Sequence, residues 1–146
     1  MFRGNFPTKV DTQGRIKIPV SYRRLLDEEY GVDLYVTSTT GENVLVYPLS
    51  EWKQIEAKLL EPPKMRPEKL KFLRNTNYYG QVVSMDKQGR VVIPSHLRKE
   101  ASISGEVAVM GYLNYLQVWN RERFTSLLES DPYTESDARV LAELGL

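Results

Sequence analysis

An α+β fold, mostly β, in which two similar halves close a pseudo-two-fold barrel with flanking helices, is what this sequence predicts. Three observations carry that prediction. A nine-residue motif occurs twice, short runs around each copy alternate apolar and polar residues at strand spacing, and prolines and helix-spaced apolar residues interrupt those runs at matching places. The chain has 146 residues, 41% hydrophobic and 27% charged. That suits one compact unit whose halves share a core.

The repeated motif is Asp11-Thr12-Gln13-Gly14-Arg15-Ile16-Lys17-Ile18-Pro19, which returns as Asp86-Lys87-Gln88-Gly89-Arg90-Val91-Val92-Ile93-Pro94 with six of nine positions identical. The match continues through Arg23 and Arg98, then Arg24 and Lys99. After a three-residue deletion, Val44-Leu45-Val46-Tyr47 aligns with Leu116-Gln117-Val118-Trp119. Each half therefore reads as a βαββ-type repeat. A first strand is expected over Phe6–Val10 and over Gln81–Met85. A tight hairpin turn follows at Gln13-Gly14 and Gln88-Gly89, where glycine supplies a positive φ. The next strand, Arg15–Ile18, turns Ile16 and Ile18 inward, so Arg15 and Lys17 point outward. In the second copy Val91 and Ile93 point inward, with Arg90 and Val92 outward.

Pro19 and Pro94 end these strands and can open a helix. Tyr22, Leu25 and Leu26 give the first such helix its apolar side. Two strands follow near Leu34–Thr37 and Asn43–Tyr47, with counterparts at Glu106–Met110 and Tyr115–Trp119. A longer helix comes next, with Ser50 as its expected N-cap and Trp52, Ile55 and Leu59 on one face. Asn120 is the matching cap before Phe124, Leu127 and Leu128. Pro62-Pro63 and Asp131-Pro132 stop these two helices. Between the halves, Pro67–Asn75 reads as a basic connecting helix with Leu70, Phe72 and Leu73 as its apolar side. The last segment, Glu135–Leu144, reads as a short acidic helix or a frayed tail. About 45 residues bury too little surface to stand alone, so each half is expected to complete the other's core.

Composition excludes several chemistries. The chain has no cysteine, which removes disulfides, thiolate nucleophiles and thiolate metal sites. Its one histidine, His96, lies in a short helix and reads as a solvated residue rather than a catalyst. No metal site and no cofactor are expected, because the acids show no ligand spacing and the glycines match no phosphate-binding loop. No apolar run reaches membrane-spanning length, and the opening Met1–Pro7 lacks a signal-peptide core. A cytoplasmic protein without enzymatic activity is the expectation.

The formal net charge is +1, but its distribution is uneven. Residues 1–24 set Arg3, Lys9, Arg15, Lys17, Arg23 and Arg24 against Asp11 alone, and residues 62–76 set five basic residues against Glu68. Residues 100–146 set Arg121, Arg123 and Arg139 against eight acids. Such a chain can be nearly neutral and still present a basic face.

The turn is where chemistry concentrates. Asp11 and Asp86 suit a structural role, bonding backbone N–H groups of the turn. Arg15 and Arg90 either pair with those carboxylates or present an outward fork that binds phosphate, or guanine O6 and N7, at two points. Lys9 and Lys17 extend the first copy into a cationic ridge on a two-stranded ribbon of major-groove width. The second copy has Ser84 and Val92 at those positions and keeps Arg90 and Lys87. The first copy is therefore expected to carry most nucleic-acid affinity. Tyr78 and Tyr79 are expected to pack at the start of the second copy rather than stack on bases.

With the motif Asp-x-x-Gly-Arg-(Ile/Val)-x-Ile-Pro present twice, each copy resembles the SpoVT/AbrB DNA-binding domain, a swapped-hairpin barrel. The pair, together with Met1-Phe2-Arg3-Gly4, Tyr47-Pro48-Leu49 and Trp52, resembles the MraZ family of bacterial transcriptional regulators. The resemblance covers residues 1–128. It implies a first AbrB-like repeat over 5–50, a helix and basic connecting helix over 51–80, a second repeat over 81–124, and a C-terminal helix and tail over 125–146. It further implies a nucleoid-associated regulator, a repressor of the division and cell-wall gene cluster. The partners it implies are double-stranded DNA carrying short promoter direct repeats and further copies of the chain, in a ring of eight or more subunits. Carried onto this sequence, Arg15 is the leading reader, supported by Arg3, Lys9, Gln13 and Lys17, with Arg90 and Lys87 in the second repeat. Asp11, Gly14, Asp86 and Gly89 shape the turns. The competing expectation is a ring-forming scaffold without specific DNA binding.

Overall fold

A computed structural model describes residues 1–146. In chain order the elements are β1 (Asn5–Lys9), β2 (Arg15–Lys17), α1 (Val20–Glu29), β3 (Asp33–Thr37), β4 (Val44–Pro48), α2 (Leu49–Leu59), α3 (Pro67–Tyr78), β5 (Gln81–Ser84), β6 (Arg90–Val92), α4 (Ser95–Glu100), β7 (Glu106–Tyr112), β8 (Tyr115–Asn120), α5 (Arg121–Ser130) and α6 (Glu135–Glu143). The class is α+β, as the sequence predicts. No helix is long and apolar enough to cross a membrane.

The strands form a six-stranded antiparallel sheet in the order β1-β7-β8-β4-β3-β5 and a two-stranded sheet of β2 and β6. This order shows how the repeats interlock. The first strand of each repeat pairs with the other repeat: Lys9 lies opposite Glu106 on β7, and Ser84 lies opposite Asp33 on β3. The pseudo-two-fold axis runs between β4 and β8, where Leu45 faces Gln117, and between β2 and β6, where Ile16 faces Val91.

The exchange corrects one detail of the sequence reading. β1 and β2 do not build a ladder with each other. Two backbone bonds, Asp11 N to Arg15 O at 2.9 Å and Gly14 N to Asp11 O at 3.1 Å, close the first turn, and Asp86 N to Arg90 O and Gly89 N to Asp86 O, both at 3.0 Å, close the second. Each strand then finds its ladder partner in the other half. Backbone donors left unpaired within one repeat are thereby satisfied only when the two repeats meet.

The main core contains 19 buried residues drawn from both halves, with Ile16, Ile18, Leu34, Val36, Val44 and Val46 meeting Val91, Ile93, Leu97, Val107, Val109 and Val118. Alternation along each strand sends these side chains to the barrel interior. The opposite face of the large sheet carries Tyr35, Tyr47 and Tyr115. Trp52 of α2 stacks on Tyr35 and Phe72 of α3 stacks on Trp52, covering the first half of that face. Tyr115 stacks on Tyr47 at 4.5 Å, and burial pushes the Tyr47 phenol up to about 12. Phe124 of α5 packs against Ala108, Met110 and Trp119 in the second half.

Helix ends follow local chemistry, with one correction. Asn120 caps α5 by accepting from Arg123 N at 2.9 Å. Ser50 caps nothing: α2 begins at Leu49 after Pro48, because the proline supplies a preset φ and its missing N–H is no loss there. The connecting helix continues to Tyr78, three residues past its expected end, and its Thr76 carbonyl accepts from Tyr35 and Thr37. The C-terminal segment is helical, with a capping box between Thr134 and Asp137.

Candidate nucleic-acid interface

The site begins with the turn. In the first copy Asp11 Oδ1 accepts from Gln13 N at 2.9 Å and Arg15 N at 2.8 Å, and Oδ2 accepts from Arg15 Nε at 2.7 Å. In the second, Asp86 accepts from Gln88 N at 2.9 Å, Arg90 N at 2.8 Å and Arg90 Nε at 3.0 Å. These donors hold both carboxyls below the usual carboxylate range. The backbone N–H of the motif arginine contributes most, and its side chain and the glutamine N–H add to it against a desolvation penalty. Gly14 and Gly89 each sit at φ 76°, the left-handed region that glycine enters freely. Both aspartates thus bond backbone N–H groups of their own turn.

The arginines pair with those carboxylates through one nitrogen each. Each spends Nε on its aspartate, which fixes the guanidinium plane, and neither has another hydrogen-bond partner in the chain. The Nη nitrogens remain available to an external acceptor. Arg15 is held by packing as well: its side chain is 24% exposed, less than the outward position alone suggests.

The register of β2 and β6 then assembles the face. Arg15 lies opposite Val92, and Lys17 lies opposite Arg90. The inward residues between them, Ile16 and Val91, are fully buried. Three of the four outward positions are therefore cationic, on a ribbon to which both repeats contribute. The antiparallel pairing places the two turns at opposite ends of this ribbon, with Gln13 and Lys87 exposed on them.

Two predicted residues stand apart. Lys9 lies on β1 opposite Glu106, whose carboxylate accepts from Arg121 at 3.0 Å. Arg3 lies at the far end of β1 from the turn, in a hollow with Ser21, Tyr22, Arg24 and Glu28. The structure thus puts Arg15, Lys17 and Arg90 on one ribbon, with Gln13 and Lys87 on the turns at its two ends, and leaves Lys9 and Arg3 off it. Tyr79 packs as expected, donating to Glu100 Oε2 at 2.6 Å, whereas Tyr78 stays mostly exposed. His96 bonds Tyr78 O at 2.8 Å through Nε2.

Sequence reasoning passed over Arg23 and Arg98 as site residues. The space that a side chain at Gly14 would need is filled by the Arg98 guanidinium, and at Gly89 by that of Arg23. The signal was present: both arginines follow their own turn glycine at the same interval and recur in both repeats. Their contact across the repeats was not readable, because it depends on the exchange.

A family model described as "MraZ protein, putative antitoxin-like" matches residues 1–75 and 80–143. The chain belongs to the MraZ family. A protein of Acidobacterium capsulatum named transcriptional regulator MraZ is 49% identical over 146 residues, covering all of both chains. Its namesake in Koribacter versatilis is 48% identical over 147 residues, again over both full lengths. A third from Clostridium acetobutylicum is 34% identical over 146 residues and both full lengths. The MraZ relatives carry the name of a regulator, a role without catalysis, and the family match spans both turns.

Proposed function

We propose that this chain is a sequence-specific DNA-binding transcriptional regulator, a repressor of the division and cell-wall gene cluster acting at the nucleoid. It reads short promoter direct repeats as a ring-shaped homo-oligomer. One observation carries the DNA reading: three of four outward positions on the β2–β6 ribbon are cationic, and two of them are arginines oriented by aspartate. A ribbon of this kind enters the major groove, and an oriented guanidinium discriminates guanine by two hydrogen bonds. Arg15, Lys17 and Arg90 are the leading contacts, with Gln13 and Lys87 from the turns. Lys9 and Arg3 act at most on flanking phosphate.

The ring is supported by what the single chain leaves uncovered. α6 buries no residue, and Val140 and Leu144 are 57% and 73% exposed. A helix of this length is marginal in water without a packing partner. The acidic C-terminal segment and the basic α3 region are complementary, as a head-to-tail contact that closes a ring requires. Several ribbons on one particle would then gain affinity for several repeats through effective concentration.

The test is a mobility-shift series at rising salt with DNA from upstream of the chain's own gene and random DNA of equal length. Wild type should bind the upstream DNA specifically, and Arg15→Ala should lose about 10-fold or more, the range of one bidentate base contact. Equal, weak binding of both DNAs by both proteins would overturn the DNA reading and leave the ring-forming scaffold in its place.

A further inference from the structure

Each turn is anchored by the opposite repeat. Gly14 O accepts from Ile93 N at 3.1 Å, and Gly89 O accepts from Ile18 N at 2.8 Å. Over each glycine lies a guanidinium from the other half, Arg98 of α4 on Gly14 and Arg23 of α1 on Gly89. Arg98 Nε also donates to Ile93 O at 2.9 Å, tying the same guanidinium to the strand end that holds Gly14. Both glycines are buried although they lie in surface turns. Neither arginine forms an ion pair, so salt-bridge geometry does not explain their placement.

We propose that Arg98 and Arg23 are positioning residues exchanged between the repeats, with Arg98 setting the turn that aims Arg15 and Arg23 setting the turn that aims Arg90. The inference rests on the proposed DNA reading for its functional consequence, while its structural half stands without DNA. A base-reading side chain must be held within a fraction of an ångström and by neighbours that are themselves fixed. The Arg98 guanidinium fills the space over Gly14 and lends its Nε to Ile93 O, while the Arg23 guanidinium fills the space over Gly89 by packing. A lysine keeps the charge but has neither the plane nor the fork. The arrangement therefore makes each turn sensitive to a helix of the other repeat, and reading by the first repeat depends on a residue of the second.

The experiment uses the full chain with Arg98→Lys and Arg98→Gln. Amide hydrogen exchange without DNA comes first. Exchange at Gly14 and Ile93 should accelerate in both variants, while Gly89 and Ile18 keep their protection. Uniform acceleration at both turns, or none, overturns the positioning role whatever the protein binds. Mobility shift on the upstream DNA comes second. Arg98→Lys should bind about 10-fold more weakly, nearly as weakly as Arg98→Gln, with the salt slope of wild type kept by the lysine variant. In double-mutant cycles the loss should be absorbed by Arg15→Ala and should add to that of Arg90→Ala. Rescue by lysine with a slope reduced in the glutamine variant would make Arg98 a phosphate contact and overturn the proposal. Selective exchange at the first turn, with no specific DNA binding by wild type, would uphold the clamp and reject the DNA reading. If Arg98→Gln does not fold, Arg98→Lys and the reciprocal Arg23→Lys, read at Gly89 and Ile18, decide the matter.

Discussion

The two repeats share their inward residues and differ in their outward ones. Ile16 and Ile18 correspond to Val91 and Ile93, and all four are fully buried. On the outer row Lys17 corresponds to Val92, and on the first strand Lys9 corresponds to Ser84, which bonds Asp33 at 2.7 Å. The helices differ as well: α1 has 10 residues and α4 has 6, while α3 is seated on Trp52 and α6 buries nothing. Burial in a shared interior limits both copies to shapes that fit each other. Solvent imposes no such limit, so the outward face of one copy can become more basic than that of the other. On the β2–β6 ribbon the change of charge thus falls where packing does not decide, while the inward pair differs by one methylene-sized group.

The comparison can be broken most sharply in the interior. Ile16→Ala should destabilise the chain by about 2–5 kcal/mol, as burial of a large aliphatic side chain predicts. Val91→Ala, with a smaller side chain to lose, should cost less. Urea unfolding measures both and should remain one transition, because the 19-residue core spans both halves. Two separate transitions would mean that the repeats are independent.

The helix ends sharpen the contrast between packed and unpacked elements. Asn120→Ala removes the cap of a helix whose Phe124 packs on the sheet, and should lower global stability by about 1 kcal/mol. Thr134→Ala removes the cap of α6, which buries no residue in the single chain. The urea midpoint of a monomeric sample should hold while exchange within α6 rises.

On the outer row, Lys17→Val should lower the slope of log affinity against log salt by about 0.9, and Val92→Lys should raise it by a similar amount. Mobility shift over a salt series reads both, and equal slopes in the two variants would show that the rows do not contact DNA alike. The smallest effect is in acid. Asp11 and Asp86 have carboxyls held below their usual value of 3.8. Their contribution to stability is complete above that value and is lost as pH falls through it toward the lowered folded one. Stability followed by urea midpoint from pH 7 to 2 should lose part of its acid dependence in Asp11→Asn and an equal part in Asp86→Asn. Unequal losses would show that the two turns are not equivalent.

Much was determined by the sequence by itself. The duplicated motif, the period-two alternation and the prolines placed the strands, the turns and the order of elements, because these depend on neighbours a few residues away. The inward set and the carboxylate-held turn were legible for the same reason. Ser50 was misread as a cap because Pro48 starts the helix earlier by its own fixed φ. Tertiary structure decided which strands pair. A hairpin and an exchanged pairing carry the same local pattern, and only the closing of a shared core selects β1 with β7 and β2 with β6. That choice placed Arg15, Lys17 and Arg90 on one ribbon, left Arg3 elsewhere and set Arg98 over Gly14. The physical reason is range: backbone preference acts along the chain, whereas burial and unpaired backbone groups are satisfied only by residues that folding brings from the other half.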